Sequence, residues 1–138
     1  MHISADDRAF LARFAACELS KEEFRHSDHV RLGWILLAEA PLLTALLRFR
    51  MLLKAFAAHH DVPGLYNETI TCFYMLLICE RMGRMDGACT WERFKEMNPE
   101  LFSYPKALLR KYYPDGIAFS ASAKASFILP ETASAEAA

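Results

Sequence analysis

No apolar run in this chain approaches the length that crosses a bilayer. The longest, Leu32 to Ala38 and Cys72 to Cys79, stop far short of roughly 20 residues and read as buried helix segments. Met1 to Phe10 holds Asp6, Asp7 and Arg8 where an export signal needs an apolar centre, which argues against secretion. Charge of one sign is not in excess either. Sixteen Lys and Arg face seventeen Asp and Glu, a formal net charge of -1, so the global field that would hold a nucleic acid or an anionic membrane is missing. Cysteine is sparse and unpatterned: Cys17, Cys72, Cys79 and Cys89 contain no C-x-x-C pair, and they read as reduced cytoplasmic thiols that fill core space. A Gly-rich phosphate loop, a G-x-S-x-G elbow, an H-E-x-x-H pair and a Cys/His zinc array are all missing, which leaves the common enzyme classes without support. No repeat of 20 to 50 residues is evident, and no stretch alternates strictly enough for a strand.

Core material, by contrast, is plentiful. With 54% hydrophobic and 12% aromatic residues in 138, the chain can bury one core of ordinary domain size. The expectation is an all-α single domain over residues 1–130, a compact bundle of about five to seven helices with three long, mostly buried ones, shorter helices in the last third and a disordered tail over 131–138. Ser4 and Asp7 form a capping-box-like start for a helix over about 5–18. Ser20 and Glu23 repeat the signature, but Arg25 to Asp28 soon interrupt the apolar pattern, so that segment reads as an elbow. Ser27 can cap the next helix, with Asp28 in its first turn. Pro41 suits the first turn of a helix reaching about His60, with Arg48, Arg50 and Lys54 on its wet side and Leu46, Leu47, Phe49, Leu53, Phe56 and Ala57 on its buried side. Asp61 to Gly64 is a loop, and a third long helix starts near Asn67. Thr90, Pro105 and Pro114-Asp-Gly116 punctuate the rest, and Phe127 to Leu129 offers a final apolar anchor.

Two places break the apolar logic. His26-Ser-Asp-His29 and Tyr66-Asn-Glu-Thr-Ile-Thr71 each sit at the start of a mostly apolar helix, where polar groups entering a core need partners. If those helices pack with their N-termini at the same end, both sets reach one pocket, and N-terminal donors there favour an acidic guest. His26 and His29 are three apart and can point to one side. Glu68 can then complete a two-His-one-carboxylate set for a divalent transition metal, or serve with the histidines as general acid or base. Arg31 needs a partner such as Glu68, Asp28 or a ligand acid. The plain alternative is that these are capping, turn and backbone-satisfying residues with no site at all. His59-His-Asp61 and Arg110-Lys-Tyr-Tyr113 read as helix-end features.

At Phe24-Arg-His-Ser-Asp-His-Val-Arg-Leu-Gly-Trp34, Tyr66-Asn-Glu-Thr-Ile-Thr71, Asn98-Pro-Glu-Leu101 and Leu108-Leu-Arg-Lys-Tyr-Tyr113 the chain resembles an uncharacterised family of small bacterial all-helical proteins with F-x-H-x-x-H and Y-[HN]-x-T-x-T motifs. The resemblance spans residues 24–129 and picks out His26, His29, Trp34, Tyr66, Thr69, Thr71, Ser122, Lys124, Phe127 and Pro130. It implies a shared site but no reaction. Gly33 stands where the family pattern has alanine and Asn67 where it has histidine, which weakens a transition-metal reading.

The functional expectation is a small cytoplasmic protein with a polar pocket for a small acidic molecule, extending to a biosynthetic enzyme that uses His/Glu acid-base or metal-assisted chemistry. His26, His29 and Glu68 are the candidate catalytic residues and the same three the candidate metal ligands, with Arg31, Tyr66, Asn67 and Thr71 binding the guest. The alternative is a non-catalytic accessory or interaction module, as a homo-oligomer or with a partner protein.

Overall fold

The computed structural model describes residues 1–103 and 105–131. Within them the chain is all-α. Its helices are α1 (Ala5–Ala15), α2 (His26–Glu39), α3 (Leu42–His59), α4 (Glu68–Gly83), α5 (Trp91–Met97), α6 (Glu100–Ser103), α7 (Pro105–Tyr112) and α8 (Ala121–Ala125), with 3-10 turns over Pro63–Leu65 and Pro114–Phe119. No helix among the described residues is long and apolar enough to cross a membrane. Of the expected tail, residues 132–138 lie outside the described residues, and Glu131 is tied back through its N–H to the Tyr112 carbonyl at 2.8 Å.

Several boundaries follow directly from caps. Ser4 accepts from the Asp7 N–H, and the Asp7 carboxylate returns a bond to the Ser4 N–H, so an Asp performs the usual Glu role in the capping box. Asn67 and Thr90 cap α4 and α5 through their side chains. Ser27 does not cap α2. That helix starts two residues earlier, at His26, because the Asp28 carboxylate accepts from the Arg25 N–H and supplies the first-turn stabilisation from inside the helix. Pro41 precedes α3 rather than opening it. Residues 20–23 hold reciprocal Ser20–Glu23 bonds without continuing into a helix, as an elbow requires.

Helix α2 packs on α3 and α4, which also pack on each other. Gly33 sets the separation: a Cβ there would stand 2.9 Å from Met75 Sδ, 3.1 Å from Ile78 Cδ1 and 3.6 Å from Phe49 Cε1. Contacts advance together along α2 and α4, His26 meeting Tyr74 and Gly33 meeting Met75 and Ile78, so these helices run the same way. Along α3 they retreat, with Phe24 on Phe56 and Gly33 near Phe49. One side of α2 joins a core of Trp34, Ile35, Phe73, Ile78, Trp91, Phe94 and Leu101. Its other side joins Phe14, Phe24, Leu32, Leu36, Phe49, Phe56 and Met75, where the rings of Phe14, Phe24 and Phe56 meet at 4.5 to 5.1 Å.

One expectation fails on α3, and another holds only in part at the chain's end. Helix α3 is buried on one side only: Leu47, expected inside, is 55% exposed beside Leu43 at 78% and Met51 at 60%. No element among the described residues buries Leu43 or Leu47, and hydrophobicity alone cannot direct a residue to a core that lies elsewhere. Of Phe127 to Leu129 only Ile128 packs inward, because the segment is placed by hydrogen bonds rather than by its apolar residues. Thr69, fully buried, donates to the Ser126 carbonyl and accepts from the Ile128 N–H, while the Tyr113 hydroxyl donates to the Ile128 carbonyl.

Two substitutions test this framework. Asp7→Ala removes a cap and leaves Arg31 without its carboxylate, and is expected to lower unfolding free energy by about 2 kcal/mol. Gly33→Val must push Met75 and Ile78 aside and is expected to cost about 1–3 kcal/mol. Urea denaturation of each variant measures both.

Candidate functional site

The elbow, α2, α3, the Pro63–Leu65 turn and α4 enclose a half-open cavity of about 450 Å³. Its walls are Phe24, Val30, Phe49, Leu53, Phe56, Ala57, Ile70 and Tyr74, with Val62 and Leu65 near the mouth. The polar lining consists of Lys21, His26, His29, Tyr66, Asn67 and Thr71. The two motifs therefore meet at one hollow, as parallel α2 and α4 require. Five of the residues expected to form a site line it: His26, His29, Tyr66, Asn67 and Thr71. Glu68 and Arg31 do not.

Arg31 sits on the far side of α2, where its Nε and Nη2 donate to Asp7 Oδ1 at 3.1 and 2.8 Å and its guanidinium lies over the Phe10 ring at 4.8 Å. Its partner is thus α1's capping carboxylate, not Glu68, Asp28 or a ligand acid. Burial raises the Asp7 carboxyl, but the Ser4 and Arg31 bonds outweigh it and hold the pKa below the usual carboxylate range.

Glu68 is held by two groups. Its carboxylate accepts from Arg50 Nε at 2.9 Å and from the Tyr66 hydroxyl at 2.7 Å. Burial opposes ionisation, yet the Tyr66 and Arg50 bonds and the nearby Lys54 keep Glu68 below the ordinary glutamate range. An ionised carboxylate engaged in this way offers neither a general acid nor a free ligand. Among the described residues no group of three or more His, Cys, Asp and Glu is placed to hold a metal ion, so the expected His26, His29 and Glu68 metal set is not assembled. Tyr66 in turn is pushed above its usual pKa by burial and by the Glu68 bond, and its hydroxyl is also bonded by Thr71. Burial and the Glu68 charge likewise raise the Cys72 thiol, which disfavours the nucleophilic thiolate.

Asn67 lines the cavity with both polar ends engaged: Oδ1 accepts from the Ile70 N–H and Nδ2 donates to the Ala118 carbonyl at 2.7 Å. It clamps the start of α4 to the Pro114–Phe119 turn. The N-terminal donors expected to favour an acid are thus partly occupied by Asp28 and Asn67.

The histidines differ from these residues. His26 donates from Nε2 to the Leu101 carbonyl at 2.7 Å and stands edge-on to Tyr74 at 5.2 Å, so Nδ1 is its remaining polar atom. His29 lies against Phe24 with ring centroids 3.9 Å apart. Burial first, and the neighbouring His26 second, push its pKa down to about 4, which keeps it a neutral imidazole near pH 7. Lys21 was not foreseen: it lies in the elbow, exposed at the cavity, and no motif or spacing marks it. Phe49, Leu53, Phe56 and Ala57 carried a signal as the apolar face of α3, but that signal does not separate a filled core from a hollow.

The His29 shift makes a signed prediction. Its folded-state pKa lies below the ordinary imidazole value near 6.5, so the unfolded chain binds the extra proton first. The stability His29 contributes is complete above about pH 6.5 and falls as pH drops toward about 4. Urea denaturation should show about 2 kcal/mol less stability at pH 5 than at pH 7, a difference that His29→Leu reduces. An imidazole resonance titrating near pH 6.5 in the folded protein and assigned to His29 would contradict it. Family models, curated proteins and solved structures were each searched, and no match to this chain was found.

Proposed function

We propose that this chain is a cytoplasmic small-molecule-binding protein that takes a largely apolar guest bearing an acid group into the cavity between α2, α3 and α4. The observation that carries this reading is a half-open hollow of about 450 Å³ whose walls are aromatic and aliphatic and whose polar lining includes two imidazoles with unused hydrogen-bonding atoms. Such a volume falls within the range of ligand pockets, and a mostly apolar lining with a few convergent polar groups is their usual chemistry. An empty apolar hollow costs stability that a filled core would not. Any proton transfer at a bound guest falls to His26 and His29, since Glu68 is engaged by Arg50 and Tyr66. The resemblance to small bacterial helical proteins supports the same residues, His26, His29, Tyr66 and Thr71. A second reading, an accessory module that binds another protein, is favoured by one observation, the exposed Leu43, Leu47 and Met51 on α3.

Imidazole-labelled protein titrated with octanoate, a simple apolar acid, tests the first reading by NMR. The His26 and His29 resonances are expected to shift together. Ala57→Phe, which fills the hollow from α3, is expected to weaken binding at least tenfold while leaving helicity intact. Resonance changes confined to residues outside the cavity, or binding indifferent to Ala57→Phe, would leave the accessory-module reading standing instead.

A further inference from the structure

Among the described residues no Asp or Glu lines the cavity, and Lys21 is the lining group with a permanent charge. Glu68, next to the lining residue Asn67, is turned to Arg50 and Tyr66. This differs from the cleft between α1 and α5, where Arg13, Arg31 and Lys95 alternate with Asp6, Glu92 and Glu96 and no sign of charge is selected. Tyr66, Asn67 and Thr71 in its lining are bonded within the protein, which leaves Lys21 and the two histidines as its open polar groups. Lys21 is exposed, whereas His26 and His29 are partly buried among Val30, Phe49 and Tyr74, all of which are buried.

A carboxylate inside the apolar part would lose its hydration with no cation to replace it. It belongs at Lys21, where the ammonium and water both reach it. The inner place sets the opposite requirement. His26 Nε2 already donates to Leu101, so Nδ1 is the ring atom left for a guest. His29, neutral near pH 7, has one ring N–H to give and one lone pair to receive. A hydroxyl is the small group that both donates and accepts. Between the two places the lining is apolar, with Phe24, Phe56, Leu53 and Ala57 offering only dispersion contacts. The volume suits roughly a dozen non-hydrogen atoms, the low end of what ligand pockets hold.

We propose that the guest is an amphiphilic monocarboxylic hydroxy acid, seated with its carboxylate at Lys21, its apolar chain along α3 and its hydroxyl between His26 and His29. This rests on the small-molecule reading above and adds the direction of the guest and the class of its inner group. A dicarboxylic acid of the same length is disfavoured, because its second charge would enter the apolar part of the cavity beside neutral His29.

Calorimetric titration of the whole chain with ω-hydroxy acids of six to twelve carbons, the matching plain acids, diacids and primary alcohols tests it. The best hydroxy acid should bind about tenfold tighter than its plain acid, the worth of one well-satisfied buried hydroxyl. Lys21→Gln should weaken both acids several-fold and leave the alcohol unchanged. His26→Phe and His29→Leu should each remove the hydroxyl advantage while the plain acid still binds, which shows the variants folded. A plain acid or diacid as tight as the hydroxy acid, or acid binding indifferent to Lys21→Gln, overturns the orientation alone. Binding of none of the probes overturns the pocket reading together with it.

Discussion

At Gly33 the missing side chain lets α2 approach α4 so closely that an added Cβ would fall 2.9 Å from Met75 Sδ. That approach orders the molecule. It sets α2 against α3 and α4 at once, makes α2 the element common to both cores, and places the first turns of α2 and α4 at one end. Beyond Gly33 toward the N-terminus of α2 the helices no longer fill all the space between them, and Val30, His29 on Phe24 and His26 on Tyr74 also border a hollow. Close packing at one level and an opening at the next follow from the same pair of helices, since rigid rods that cross in contact must separate away from the crossing.

The rest of the structure holds the hollow open. The Phe14, Phe24 and Phe56 rings fix α1 and the elbow against α3, and His60 donates from Nε2 to the Leu19 carbonyl at 3.0 Å. On the opposite wall Arg50, Glu68, Tyr66 and Thr71 form a chain of bonds from α3 to α4, and Lys54 rides over the Tyr66 ring at 5.1 Å. These groups are mutually satisfied, which is what buried and half-buried polar groups require. Their chemistry is accordingly architectural. Among the described residues that line the cavity, what remains available to a guest is His26 Nδ1, His29 and Lys21.

Much of the local order was legible in the residues. The caps at Ser4, Asn67 and Thr90, the loop at Asp61 to Gly64 and the turn at Pro114 to Gly116 are decided within a few residues, and the Asp115 and Gly116 backbones do take positive φ there. The convergence of the His26 and Tyr66 motifs was readable because both stand at the starts of apolar helices separated by one returning helix. Individual partners were not readable. Arg31 had three plausible acids and took a fourth, Asp7, from a helix that the spacing does not relate to it. Glu68 looked like a free carboxylate because nothing along the chain shows that Arg50 faces it.

The amino-acid order by itself determined the long helical segments and the caps at Ser4, Asn67 and Thr90, because capping and periodicity act over one or two turns. Only the tertiary structure decided which apolar side meets a neighbour and which, like Leu43 and Leu47, meets none. It also decided that the apolar face of α3 borders a hollow, that an elbow lysine stands at its edge, and that the acid beside the motif is already paired. Those outcomes depend on distances between residues far apart in the chain, and no local pattern encodes a distance.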